Sequence, residues 1–267
     1  LSIMQAAGTK QPASTPGSTA RAIYPAFAAA GGVGAALLAR SGMRGADDAL
    51  DGPDGLFPLY LGMPDVPADI LSASGWTYAR TSIKPWPCCR ISHPYVSAAL
   101  KVRGALGVHG RLDIDSIDEV RLGVNASAVK LCVPLDARIR PTTLQDAKYS
   151  IPFMTAHTLV HGRVDLDNVG DECLTDDTVL RLAGRIALDE GLPDGPGHPP
   201  AVVTVTHKGD TTSAKADPVA LDANGAGLTP KVEACLAHVG ASDARESANE
   251  LASAVRAGPP AAFTVRF

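Results

Sequence analysis

Two prolines stand one residue apart, Pro85 and Pro87, in the run Ser82-Ile-Lys-Pro-Trp-Pro-Cys-Cys-Arg-Ile-Ser-His-Pro94. Each locks its own φ, lacks an N–H, and pushes the preceding residue out of the helical region. No helix can pass from Pro85 to Pro87. Tyr78 to Ile83, just before, reads as a strand. Pro94, just after, suits the opening of a helix that carries Val96, Ala99, Leu100 and Val102 along one side. The chain therefore leaves a strand, turns a stiff corner bearing a lysine, two thiols, an arginine and a histidine, and enters a helix. Flanking elements hold such a corner still while its backbone stays accessible, which suits catalytic groups.

The elements around the corner follow from pattern. Residues 8–20 are rich in Gly, Ser, Thr and Pro and read as a loop. Ala26 to Arg40 reads as a helix with small residues on one face, despite three glycines that each cost about 1 kcal/mol relative to Ala. Residues 41–58 predict a short helix and then a turn-rich exit. Ile117 to Val124 alternates as a half-buried strand does. Asp146 is placed to cap a helix from about Ser150 to His161, and Gly162 to stop it. Thr175-Asp176-Asp177 opens a further helix carrying Val179, Leu182, Ile186 and Leu188. Val202–His207 and Thr211–Ala216, joined by Lys208-Gly209-Asp210, form a hairpin signature. Leu228–Val239 and Ser242–Val255 read as terminal helices. An α+β module at about 78–222, inserted between helical segments, fits this order.

Composition removes several classes of function. The net charge of −4 and the lack of a basic stripe leave no footprint for nucleic acid, and an acidic surface disfavours anionic membranes. No apolar run approaches the roughly 20 residues that span a bilayer. Five cysteines, an odd number with no Cys-x-x-Cys spacing, argue against a disulfide scaffold, a zinc ribbon or an iron–sulfur cluster. Reduced thiols in a cytoplasm are the plain reading.

Four stretches then carry a resemblance. The corner run Lys84-Pro-Trp-Pro-Cys-Cys-Arg-Ile-Ser-His-Pro94 resembles the signature of the MmgE/PrpD family. Ala39 to Phe57, Ala147 to Val164 and Gly17 to Gly32 are similar to three further blocks of that family, in the same order. The resemblance implies a partial all-α helical domain at 1–77, an inserted α+β lid at 78–222, and helices at 223–267 that return to the helical domain. It implies that the chain starts midway through the helical domain, and that the site lies in the cleft between domain and lid. Its members include 2-methylcitrate dehydratase, cis-aconitate decarboxylase and iminodisuccinate epimerase. A lyase or isomerase acting on a small polycarboxylate is expected, with no cofactor, no metal and a homodimeric assembly.

Chemistry next to a carboxylate needs cations that hold carboxylates and stabilise developing charge, together with a positioned acid and base. Lys84 matches the family's active-site lysine and is the first catalytic candidate. Against that stands a lysine merely laid along a strand end with its head in water. His93 would transfer a proton or brace the corner. Cys89 stands where some family members carry a catalytic histidine, yet adjacent thiols are commonly packed small groups. Arg90 would clamp a carboxylate at two points or pair with an acid. Arg21 and Tyr24, in place of a family lysine and histidine, are candidates for substrate binding: arginine keeps the charge, tyrosine keeps a hydroxyl. His157 and His161, one helical turn apart without an acid to complete a metal set, read as surface or interface residues. Lys148 and Tyr149 read as residues that fix the lid.

Overall fold

The computed structural model describes residues 1–5, 8–13, 15, 17–67, 82–110, 112–194, 200–218 and 227–257. The chain divides into two compact units, Leu1–Thr81 and Ser82–Phe267. The strand expected over Tyr78–Ile83 lies outside the described residues except for Ser82 and Ile83.

In the first unit, helix α1 spans Tyr24–Arg40, with Pro25 in its first turn. Ala35 is its one buried residue among those described, and Phe27, Val33 and Leu37 are exposed. The order expected over 41–58 is reversed. Turns come first, and a helical stretch of π type then runs over Phe57–Leu61. Glycines at 42, 45, 52 and 55 are spaced too closely for a helix to hold between them.

The second unit is an α+β fold built on a four-stranded sheet. The corner leads into helix α2, His93–Ala105, with Pro94 in its first turn. Strand β1 covers Ile117–Val124. Three short helical turns follow, at Ala126–Val129, Leu135–Ile139 and Leu144–Lys148, and then helix α3, Ile151–His161. Helix α4 is Asp177–Ala183 and strand β2 is Ile186–Glu190. The hairpin is β3, Ala201–His207, and β4, Asp210–Ala216. Helices α5, Leu228–His238, and α6, Ala244–Ala257, pack on each other. The sheet order is β2-β1-β3-β4, with β2 parallel to β1 and the other neighbours antiparallel. Helix α2 packs on β3, β4 and α3, and α3 packs on α4.

Local chemistry explains most boundaries. The Phe153 N–H donates to Ser150 Oγ at 3.1 Å, so Ser150 caps α3. Asp146, expected in that role, sits one turn earlier, where its own N–H donates to Thr143 Oγ1. Helix α3 is buried from Ile151 to Val160. Its two threonines are tolerated there because Thr155 Oγ1 donates to the Ile151 carbonyl at 2.8 Å and Thr158 Oγ1 to that of Met154 at 2.6 Å. Gly162 stops the helix in the left-handed region, at φ +69°. Lys208 and Gly209, both at positive φ, make the hairpin turn.

One expected helix is two elements. The run that opens at Asp176 keeps its helix only to Ala183, and Ile186 to Glu190 is a strand paired residue by residue with Val120 to Val124. Gly184 weakens the helix there, and the Val120 N–H donates to the Arg185 carbonyl at 3.1 Å to begin the ladder. The core comprises Val96, Ala99 and Val102 of α2, Val120, Leu122 and Val124 of β1, Val203 and Val205 of β3, and α3. Each large side chain among them contributes about 1.5–3 kcal/mol by leaving water.

Candidate functional site

The corner is held by its own backbone and by one neighbouring turn. The Lys84 ammonium donates to the Cys88 carbonyl at 3.1 Å, closing the loop around Pro85 and Pro87. The Cys88 N–H donates to the Trp86 carbonyl at 2.9 Å, and the Cys89 N–H to the Lys148 carbonyl at 2.8 Å. Lys148 is the last residue of the Leu144–Lys148 turn, so that turn fixes the thiol pair in place. Arg90 opens a short 3-10 turn, Arg90–Ser92, that feeds α2, and its guanidinium donates to Ser82 Oγ.

The candidates from the sequence separate by exposure. Lys84 is exposed, while Cys89 and Arg90 are half-buried. His93 is fully buried and meets Trp86 edge-on, with ring centroids 5.3 Å apart at 80°. Its ring therefore shapes the inside of the corner. Tyr24 is half-buried at the start of α1, in the first unit. Arg21 lies in the 3-10 turn Thr19–Ala22 of the same unit, and its side chain falls outside the described residues.

Burial pushes the Cys88 thiol up to about 12, its neighbour Cys89 adds to the rise, and Lys84, Lys148 and Lys231 oppose it. Cys88 therefore stays a thiol at neutral pH and is neither nucleophile nor base. Burial likewise raises Cys132 to about 12 and Cys173 to about 11.

Beside the corner lies a cavity of about 300 Å³. Pro85 and Trp86 line it together with Val164 and Leu166, from the loop after α3, and Lys231 and Cys235 of α5. Neither the cavity nor the place of Lys231 in its wall is legible in the sequence. No motif marks Lys231; only the docking of α5 beside the corner brings it there.

Of the two histidines of α3, expected at a surface or interface, His157 is in the core. His157 is 1% exposed and stacks on Phe153, with centroids 6.3 Å apart. Burial first, and the adjacent His161 second, push its pKa down to about 4. His161 is half-buried, and its Nε2 lies 2.9 Å from the Asp176 carboxylate.

Residues 86–256 match the model of the MmgE/PrpD C-terminal domain. The chain belongs to the MmgE/PrpD family. The match begins just after Lys84 and takes in Cys89, Arg90 and His93, along with the whole described part of the sheet. This MmgE/PrpD chain matches no curated protein. Among the described residues no helix is long and apolar enough to cross a membrane.

Proposed function

We propose that this chain carries the corner of an MmgE/PrpD lyase that removes water from a small polycarboxylate, in the manner of 2-methylcitrate dehydratase. The observation that supports it best is the exposed ammonium of Lys84, tied back to the Cys88 carbonyl beside a cavity. A carbon next to a carboxylate is a weak acid. When its proton leaves, negative charge spreads onto the carboxylate, and a fixed ammonium stabilises that charge. In this reading Lys84 holds the reacting carboxylate and Arg90 clamps another. A base takes the α-proton, the C–H electrons form the double bond, and the C–O bond to the β-hydroxyl breaks. Cys89 supplies the proton with which that hydroxyl leaves as water. His93 braces the corner from inside.

Epimerisation of an iminodisuccinate-type substrate and decarboxylation of a cis-aconitate-type substrate are the alternatives, since both use the same cations. The resemblance implies chemistry without a metal or organic cofactor. We place the enzyme in the cytoplasm, in keeping with its free thiols, and expect a homodimer that covers exposed apolar side chains such as Phe27, Leu59 and Tyr60.

A second reading is a non-catalytic or split subunit of such an enzyme. The match to a C-terminal domain model and the inward setting of His93 favour it. Incubation of the purified chain with 2-methylcitrate, cis-aconitate and iminodisuccinate decides between them, with products followed by NMR. The lyase reading expects loss of water from the first, and a Lys84→Met variant slower in kcat/KM by about 100-fold or more. Inertness toward all three leaves the subunit reading.

A further inference from the structure

The corner gathers more cations than the resemblance implies. The Cys88 thiol lies within electrostatic reach of three ammonium groups, those of Lys84, Lys148 and Lys231. The three lysines reach the corner in different ways, and only the first through its ammonium. Lys84 donates to the Cys88 carbonyl at 3.1 Å. Lys148 accepts at its own carbonyl from the Cys89 N–H at 2.8 Å. Lys231 shares the wall of the 300 Å³ cavity with Pro85 and Trp86.

Among the described residues the ammonium groups of Lys148 and Lys231 make no hydrogen bond and no ion pair. That is unexpected in a chain with 28 acidic against 24 basic side chains, where a half-buried lysine has many carboxylates to choose from. Two carboxylates even line the same cavity, but both are occupied. Asp165 accepts from Arg163 Nη1 at 3.1 Å and from the N–H groups of Asp167 and Asn168 at 3.0 Å each. Asp167 Oδ1 lies 2.6 Å from His238 Nδ1. Lys231 is left as the cation of the cavity, facing an apolar wall that includes Trp86, Val164 and Leu166.

We propose that this cavity is a carboxylate pocket in which Lys231 holds one carboxylate of an organic polyanion, while Lys84 holds another at the corner. The class of ligand rests on the lyase reading above; the pocket rests on the cavity and its unengaged ammonium. A volume of about 300 Å³ is at the small end of ligand pockets and suits a short-chain acid. The apolar wall packs against the carbon skeleton, and Lys148 adds to the positive field around the corner.

Cys235 lines the same cavity, so an occupant must cover its thiol. The test is the rate of Cys235 alkylation by iodoacetamide in the full chain, read by peptide mass spectrometry. It is run with the non-reacting tricarboxylate tricarballylate, with sulfate, and with chloride at matched ionic strength. Tricarballylate is expected to slow alkylation more than sulfate does. Lys231→Gln is expected to abolish that protection and Lys231→Arg to keep it, with unchanged far-ultraviolet circular dichroism in both. If the chain turns over 2-methylcitrate, Lys231→Gln is also expected to raise KM about tenfold or more, as loss of a charged hydrogen bond does. Failure of tricarballylate to protect Cys235 overturns the pocket, and so does equal protection by sulfate. Turnover of 2-methylcitrate with Cys235 unprotected sinks the pocket and leaves the lyase reading standing. Protection without turnover does the reverse.

Discussion

A Cβ at Gly162 would lie 2.8 Å from Nε of Arg103. Arg103 reaches across from α2 to donate to the carbonyls of Leu159, Val160 and Gly110, so a buried guanidinium covers the open end of α3. The last turn of α3 leaves carbonyls without intrahelical partners, and a cation is the natural cover for them. Gly162 is needed twice over, for its φ of +69° and for the space that Arg103 fills.

Gly162→Ala is therefore expected to destabilise the chain by about 2 kcal/mol, from left-handed strain and displacement of Arg103. The urea midpoint of unfolding measures it. A change within a few tenths of a kcal/mol would show that the α2–α3 contact yields freely.

His157 makes stability depend on pH in a definable window. Its pKa falls from the ordinary 6.5 to about 4 on folding, so the unfolded chain binds the proton first as acid is added. Its contribution is flat above about pH 6.5, falls as pH drops from 6.5 toward 4, and levels off below. The total loss is on the order of 3 kcal/mol at most. His157→Leu removes this dependence. The comparison is of denaturant midpoints for both proteins from pH 7 to pH 4; parallel curves would mean that His157 titrates normally in the folded chain.

The five thiols should react in two groups. Cys88, Cys132 and Cys173 are buried and held above the usual thiol range, whereas Cys89 and Cys235 are half-buried. At pH 8 iodoacetamide is expected to modify Cys89 and Cys235 in the native chain, and the other three at least about tenfold more slowly until denaturant is added. Peptide mapping reads each site. Prompt native labelling of Cys88 would show that the corner opens.

Tyr95 Oη donates to the Gly123 carbonyl at 2.8 Å, joining α2 to β1 inside the core. Burial raises its phenol well above the ordinary range, so it remains a donor at every working pH. Tyr95→Phe leaves that carbonyl unpaired and is expected to cost about 1–2 kcal/mol in chemical denaturation. A neutral result would imply that water reaches Gly123.

Much of the second unit can be read residue by residue because its signals are local. Gly162 stops α3, alternation marks β1, and Lys208-Gly209 turns the hairpin; each acts within a few residues of itself, whereas the cap of α3, expected at Asp146, is Ser150. Ile186 to Glu190 is different. Its Ile186 and Leu188 continue the helical spacing of Val179 and Leu182, and only pairing with β1, more than sixty residues earlier, turns them into a strand. The salt bridge between Arg121 and Asp189 across those two strands is equally invisible in the sequence.

The corner divides in the same way. Pro85 and Pro87 force a bend that gathers Lys84, Cys89, Arg90 and His93 along a short stretch, and that needs nothing beyond neighbouring residues. Which of these groups meets water is a long-range matter. The Lys148 carbonyl seizes the Cys89 N–H, Trp86 packs against His93, and so the ring goes inward while the ammonium stays out. Lys231 reaches the corner only because α5 docks there. Backbone torsions and caps act through adjacent residues and are written in the chain, whereas burial and charge proximity depend on partners brought together only when the core closes.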